Sequence, residues 1–145
     1  MKAWRALGLL AMLPALSGAA APGGEVSATV TGLRSGRGLI VACLTARPDA
    51  FPECQRDPRA IAILVPATEG ATLSFGPVAP GRYAISLFHD ENGNRRLDKH
   101  LMIPREGYGF SRNAPVRFGP PRFAEAAFAV ENGPARQAIR MRYIF

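Results

Sequence analysis

PGRYAISLF, Pro80 to Phe88, opens as a turn and continues as a strand. Pro80 and Gly81 side by side supply a fixed φ and a permissive backbone, the chemistry of a tight turn. Over Arg82–Phe88, Tyr83, Ile85 and Leu87 fall at every second position, so a strand points all three toward a core. The order P-G-x-Y ahead of a strand resembles the tyrosine corner of sandwich domains, where a phenol bonds backbone across the corner.

The same period of two recurs on both sides of this stretch. In Glu25–Leu33, EVSATVTGL, the residues Val26, Ala28 and Val30 share one face and Ser27, Thr29 and Thr31 the other, which predicts a half-buried strand. Leu39–Thr45, LIVACLT, is apolar on both faces and reads as an interior strand. Ala60–Val65 and Ala71–Phe75 are further strands, while the three prolines of Ala46–Arg59 exclude long regular structure there. Phe123–Val130, FAEAAFAV, carries alanines that favour helix, but it is short and its neighbours are strands, so it is assigned as strand. At the end of the chain Ile139, Met141, Tyr143 and Phe145 alternate with Arg140, Arg142 and Ile144, giving an amphipathic strand. About seven strands with Gly/Pro turns predict an all-β fold, an antiparallel sandwich of transthyretin-like or immunoglobulin-like type. A small outer-membrane β-barrel is the alternative, because Phe145 preceded by alternating apolar residues resembles the assembly signal of such barrels. Against it, the strands are shorter than the roughly 9 to 11 residues a spanning strand needs, and Leu39–Leu44 has no polar lumen face.

The chain has 145 residues. Lys2 and Arg5, the apolar run Ala6–Leu16 and the small residues Ser17–Ala21 read as a secretory signal over residues 1–20, with cleavage after Ala20. The apolar run is too short to cross a bilayer as a helix, and no cysteine follows it to carry a lipid anchor. One sandwich domain is expected over 21–145, with no transmembrane segment, in the periplasm or outside the cell. The two cysteines, Cys43 and Cys54, are then expected to form a disulfide, contributing about 3 kcal/mol by loop entropy. Removing Lys2 and Arg5 lowers the formal charge from +7 to +5. The remaining basic residues are scattered and lack interleaved aromatics, which argues against nucleic acid as a partner. An envelope protein or a small ligand fits better.

Between Phe88 and Pro121 the strand pattern stops. FHDENGNRRLDKH, Phe88 to His100, sets Asp90, Asn92, Asn94 and Asp98 at even spacing, and EGYGFSRN, Glu106 to Asn113, follows. So long a loop, residues 89–121, with Leu97, Leu101, Ile103, Tyr108 and Phe110 in it, is expected to be functional or to pack on the sandwich. The whole run from Gly81 to Ala114 resembles the signature of the bacterial domain-of-unknown-function 2141 family: G-x-Y-A-I, then H-D-x-N-x-N-x-x-L-D, then P-x-E-G-Y-G-F-S-x-N. Phe123–Phe128 fits a later F-x-x-A-x-F element. The resemblance covers nearly all the mature chain and implies an exported sandwich. It implies no activity. Arg95 departs from the glycine the pattern often has there.

Three readings of the loop follow. As a calcium loop of EF-hand type, Asp90, Asn92 and Asn94 take positions one, three and five, the Arg96 carbonyl position seven and Asp98 position nine, with Glu106 as a further carboxylate. Arg95 then occupies the glycine position and Leu101 the place of the bidentate Glu. As an ion-free network, the same Asp and Asn side chains bond their own backbone two residues on. As an enzyme, His89, Asp90 and Ser111 would form a triad, although no G-x-S-x-G elbow is present. His89, Tyr108, Phe110, Ser111 and Asn113 are candidate ligand-contacting residues, with packing of Tyr108 and Phe110 onto the core as the structural counterpart. The expectation is a non-enzymatic binding module, with calcium as the one candidate cofactor.

Overall fold

The computed structural model describes residues 22–145. The signal reading of residues 1–20 therefore lies outside the described residues. The elements are β1 (Gly24–Thr31), β2 (Leu39–Thr45), β3 (Ile61–Pro66), β4 (Ala71–Val78), β5 (Gly81–Asp90), β6 (Lys99–His100), β7 (Ile103–Pro104), β8 (Gly107–Phe110), α1 (Phe123–Ala126), β9 (Phe128–Val130) and β10 (Ala135–Arg140). One sheet has the order β10-β1-β4 and the other β3-β2-β5-β8, with β9 pairing the first residues of β5. The inward residues of both meet in one core: Val26, Val30, Leu73 and Ile139 from the first sheet against Ile40, Leu44, Ile85 and Leu87 from the second. The fold is an all-β sandwich. Its pairs are antiparallel except β1–β10, which runs parallel with Val26 opposite Ala135 and Thr31 opposite Arg140. Gly133 N–H donates to the Gly23 carbonyl at 3.1 Å as the chain crosses between sheets to enter β10 beside the start of β1.

β2 lies between β3 and β5, which explains a sequence apolar on both faces. The Tyr83 hydroxyl donates to the Ala79 carbonyl at 2.7 Å, so the corner expected from P-G-x-Y is formed. Cys43 and Cys54 are disulfide-bonded with Cα atoms 5.9 Å apart, tying the proline-rich loop to β2.

Three expectations are corrected. Phe123–Val130 is not one strand: Phe123–Ala126 makes a helical turn and only Phe128–Val130 pairs with β5. Its alanines take the helical form they favour, and the Glu125 carboxylate caps the turn by accepting the Arg122 N–H at 2.8 Å. The last strand ends at Arg140, after which Arg142 and Tyr108 exchange two backbone hydrogen bonds and join β8 to the chain leaving β10. Finally, no barrel closes among the described residues. The outer edges β3 and β4 belong to different sheets and are not paired, so the outer-membrane alternative fails. No helix among these residues is long and apolar enough to cross a membrane.

Candidate functional site

The loop after β5 folds back as β8 against Ser86–His89 of β5. The two glycines of GYGF make this possible. A Cβ at Gly109 would lie 2.7 Å from Ile139 Cγ2, and one at Gly107 2.7 Å from Met141 Cγ, so both positions face the core and must be bare. Tyr108 and Phe110 consequently point to the outer face, where they are each only 8% exposed. There they pack with Ala84, Ala114 and Ala126, and Phe51 meets Phe110 edge-on at 5.8 Å. Both aromatics are packing residues of a second apolar cluster.

His89 is fully buried in β5. Its Nε2 lies 2.7 Å from the Arg37 carbonyl and its Nδ1 2.8 Å from the Tyr143 hydroxyl. A carbonyl only accepts, so Nε2 donates to Arg37, and in the neutral ring Nδ1 is then the acceptor for the Tyr143 hydroxyl. Burial pushes the Tyr143 phenol up, which keeps that proton in place, and the phenol in turn accepts the Arg34 N–H at 3.2 Å. Ser111 lies elsewhere. Its Oγ accepts the Ile85 N–H at 2.9 Å and donates to the Ala126 carbonyl at 2.6 Å, four residues along β5 from His89 and roughly 13 Å away at strand spacing. His89, Asp90 and Ser111 thus face three different sets of partners.

Asp90, also fully buried, accepts the N–H groups of Asn94 at 3.1 Å and Arg95 at 2.6 Å. Asn92 Oδ1 accepts the Asn94 N–H and Asn94 Oδ1 accepts the Arg96 N–H. These backbone donors fix the orientation of both amides. Their nitrogens therefore face Asp98, donating at 2.6 and 3.0 Å. Glu106 closes the ring from the far side, accepting the N–H groups of Glu91 and Asp98, each at 3.1 Å. Burial raises the Glu106 carboxyl above its usual range, against the pull of these two amides. Arg95 holds a left-handed backbone at φ 60°, the conformation glycine adopts at least cost. Among the described residues no group of three or more His, Cys, Asp or Glu side chains is placed to hold a metal, and no buried side-chain polar atom lacks a hydrogen-bond partner. Asn113 bonds the β10 backbone, donating to the Ala138 carbonyl and accepting the Arg140 N–H.

The residues that motif spacing did not reveal are Arg34, Arg37 and Tyr143. Register brings the first two: Leu39 pairs with Asp90, so the turn before β2 lands beside the end of β5. Arg34 grips Glu91 through Nε at 2.8 Å and Nη2, and stacks over the Tyr143 ring at 4.5 Å. Burial opposes ionisation of Glu91, but hydrogen bonds from Arg34 and Ser35 and the guanidinium charge outweigh it, so its carboxyl sits below the usual value. An open cleft of about 630 Å³ results, its walls including Arg34, Arg37, Glu91, Lys99, Arg105 and Glu106.

A family model described as an uncharacterized protein conserved in bacteria (DUF2141) matches residues 28–138. No curated protein and no solved structure matches the chain.

Proposed function

The chain belongs to the DUF2141 family of uncharacterized bacterial proteins, and from that premise we propose an exported, non-enzymatic binding module that meets its partner in the cell envelope through the loop end of the sandwich. One observation carries this reading. The buried polar side chains of the motif, His89, Asp90, Glu106 and Ser111, are engaged with backbone or with Tyr143, which makes them builders of a fixed surface. The rim they hold up is open and charged. Hydrogen exchange of the mature chain in an envelope extract tests it. Protection over residues 34–37 and 91–105 is expected. No protection, or protection confined to the β1–β4 face, overturns the proposal.

In this reading the Asp/Asn loop is an ion-free turn network, because Asn92 and Asn94 turn nitrogens, not oxygens, toward Asp98. Calcium is the second reading, favoured by the left-handed backbone of Arg95 at the glycine position of an EF-hand loop. Thermal melting with EDTA and with millimolar calcium separates them. An unchanged midpoint supports the network. A rise that Asp90→Ala abolishes assigns the loop to calcium.

A further inference from the structure

β6 and β7 form a hairpin of two residues per strand, Lys99 opposite Pro104 and His100 opposite Ile103. Its turn is Leu101–Met102. Both have positive φ, 49° and 70°, the backbone of a turn that Asn-Gly adopts at least cost. Long apolar side chains there strain the backbone, and these two are 82% and 85% exposed. Neither core packing nor turn chemistry accounts for them. In the chain on either side of them Arg95, Arg96, Lys99 and Arg105 are exposed, and none has an ion-pair partner among the described residues. The nearby carboxylates are already engaged, Asp98 by the Asn amides and Glu91 by Arg34.

We propose that this hairpin is a membrane-docking finger, whose Leu101–Met102 tip enters the interface of an anionic bilayer while Arg95, Arg96, Lys99 and Arg105 meet the lipid phosphates. The inference rests on the loop end being a binding surface and names what that surface meets. Shape favours lipid over a protein pocket. The tip is only two residues wide and stands exposed, and the cations flank it in the chain, Arg95, Arg96 and Lys99 before it and Arg105 after. A strand rise of about 3.4 Å per residue puts the tip roughly 7 Å beyond the hairpin base. Apolar groups of interfacial segments bury about 5 to 10 Å into the headgroup and acyl boundary. The cations then sit at phosphate depth on stems long enough to adjust.

The test is cosedimentation of residues 21–145 with phosphatidylcholine vesicles, with and without phosphatidylglycerol. Binding that needs the anionic lipid and weakens with salt is expected. Each cation replaced by Gln should lower the affinity about fivefold. Leu101→Asn combined with Met102→Gly restores the preferred turn chemistry, so it keeps or raises the melting temperature while lowering vesicle binding about tenfold or more. If the double variant binds like the parent, the finger is not the anchor and the proposal falls. It falls equally if the parent ignores anionic vesicles. In that case protection of residues 34–37 and 91–105 in an envelope extract still decides the binding-module reading, and such protection points to a protein partner.

Discussion

Glu91 and Glu106 are hydrogen-bonded neighbours with opposite electrostatics. The Glu106 carboxyl is raised by burial and by the charge of Asp98, and only amides oppose the shift. Burial also opposes ionisation of Glu91, but Arg34 and Ser35 bring it below its ordinary value near 4.5. Their contributions to stability therefore run in opposite directions with pH. Glu91 stabilises the fold above its unfolded-state value, and this is lost as pH falls through its lower folded value. The Glu106 contribution is present below its unfolded-state value and is lost as pH rises through its higher folded value. Carboxyl-resolved NMR titration should show Glu91 protonating below about 4.5 and Glu106 above it. Glu91→Gln should also flatten the acid limb of a stability profile. At Tyr83 one hydroxyl holds a corner. Tyr83→Phe should cost about 1 kcal/mol in urea unfolding and leave the far-ultraviolet dichroism unchanged. A cost near zero would remove the corner from the list of stabilising contacts.

For the elements, the motif loop and the sandwich are separable in energy. Asp90→Ala strips the acceptors from the N–H groups of Asn94 and Arg95, and those amides lose their only fixed partner besides Asn92. Amide exchange over residues 91–98 should accelerate at least tenfold, while β2 and β5 amides keep their protection. Equal acceleration in β2 would mean that the loop and the sheet unfold together. How far these elements could be read from sequence varied with the physics. β2 was legible because burial on both faces leaves an unbroken apolar run. β8 was not, because GYGF reverses the signal: the core-facing positions are bare glycines and the aromatics cover the outer face. Phe123–Val130 was misread because a helical turn and a strand abut within eight residues, too few for either period to show. The Asx turns of the loop were legible from two-residue spacing alone. The partners of His89 were not, since Arg37 and Tyr143 are 52 and 54 residues away and only sheet register brings them in.

Across the whole molecule, the disulfide and the Arg142–Tyr108 pairing act at different places. Cys43–Cys54 anchors the proline-rich loop to the middle of one sheet. Reduction, or the Cys43→Ser/Cys54→Ser pair, should lower unfolding free energy by about 3 kcal/mol without loss of the sandwich. Urea titration with and without reductant measures it, and identical midpoints would deny the bridge any stabilising part. The other tie runs between sheets: Arg142 and Tyr108 pair their backbones just where Met141 and Tyr143 cover the bare face of Gly107 and Ile139 covers that of Gly109. The loop end is thereby attached to both layers.

The parallel pairing of β1 with β10 sets an order of events in time. β1 is the first and β10 the last of the described strands, yet they are neighbours along six residue pairs. A chain emerging N-terminus first can pair β2 with β3 and then with β5 by antiparallel returns once Asp90 has appeared, but β1 keeps one edge without its partner until Arg140 has appeared. Closing that edge spans most of the sequence, which places this protein among slow folders of high contact order. Until it closes, Val26, Ala28 and Val30 border an unpaired strand able to recruit a second chain. A chain whose residues from Ala135 onward have not yet docked is thus the form most exposed to edge-to-edge association.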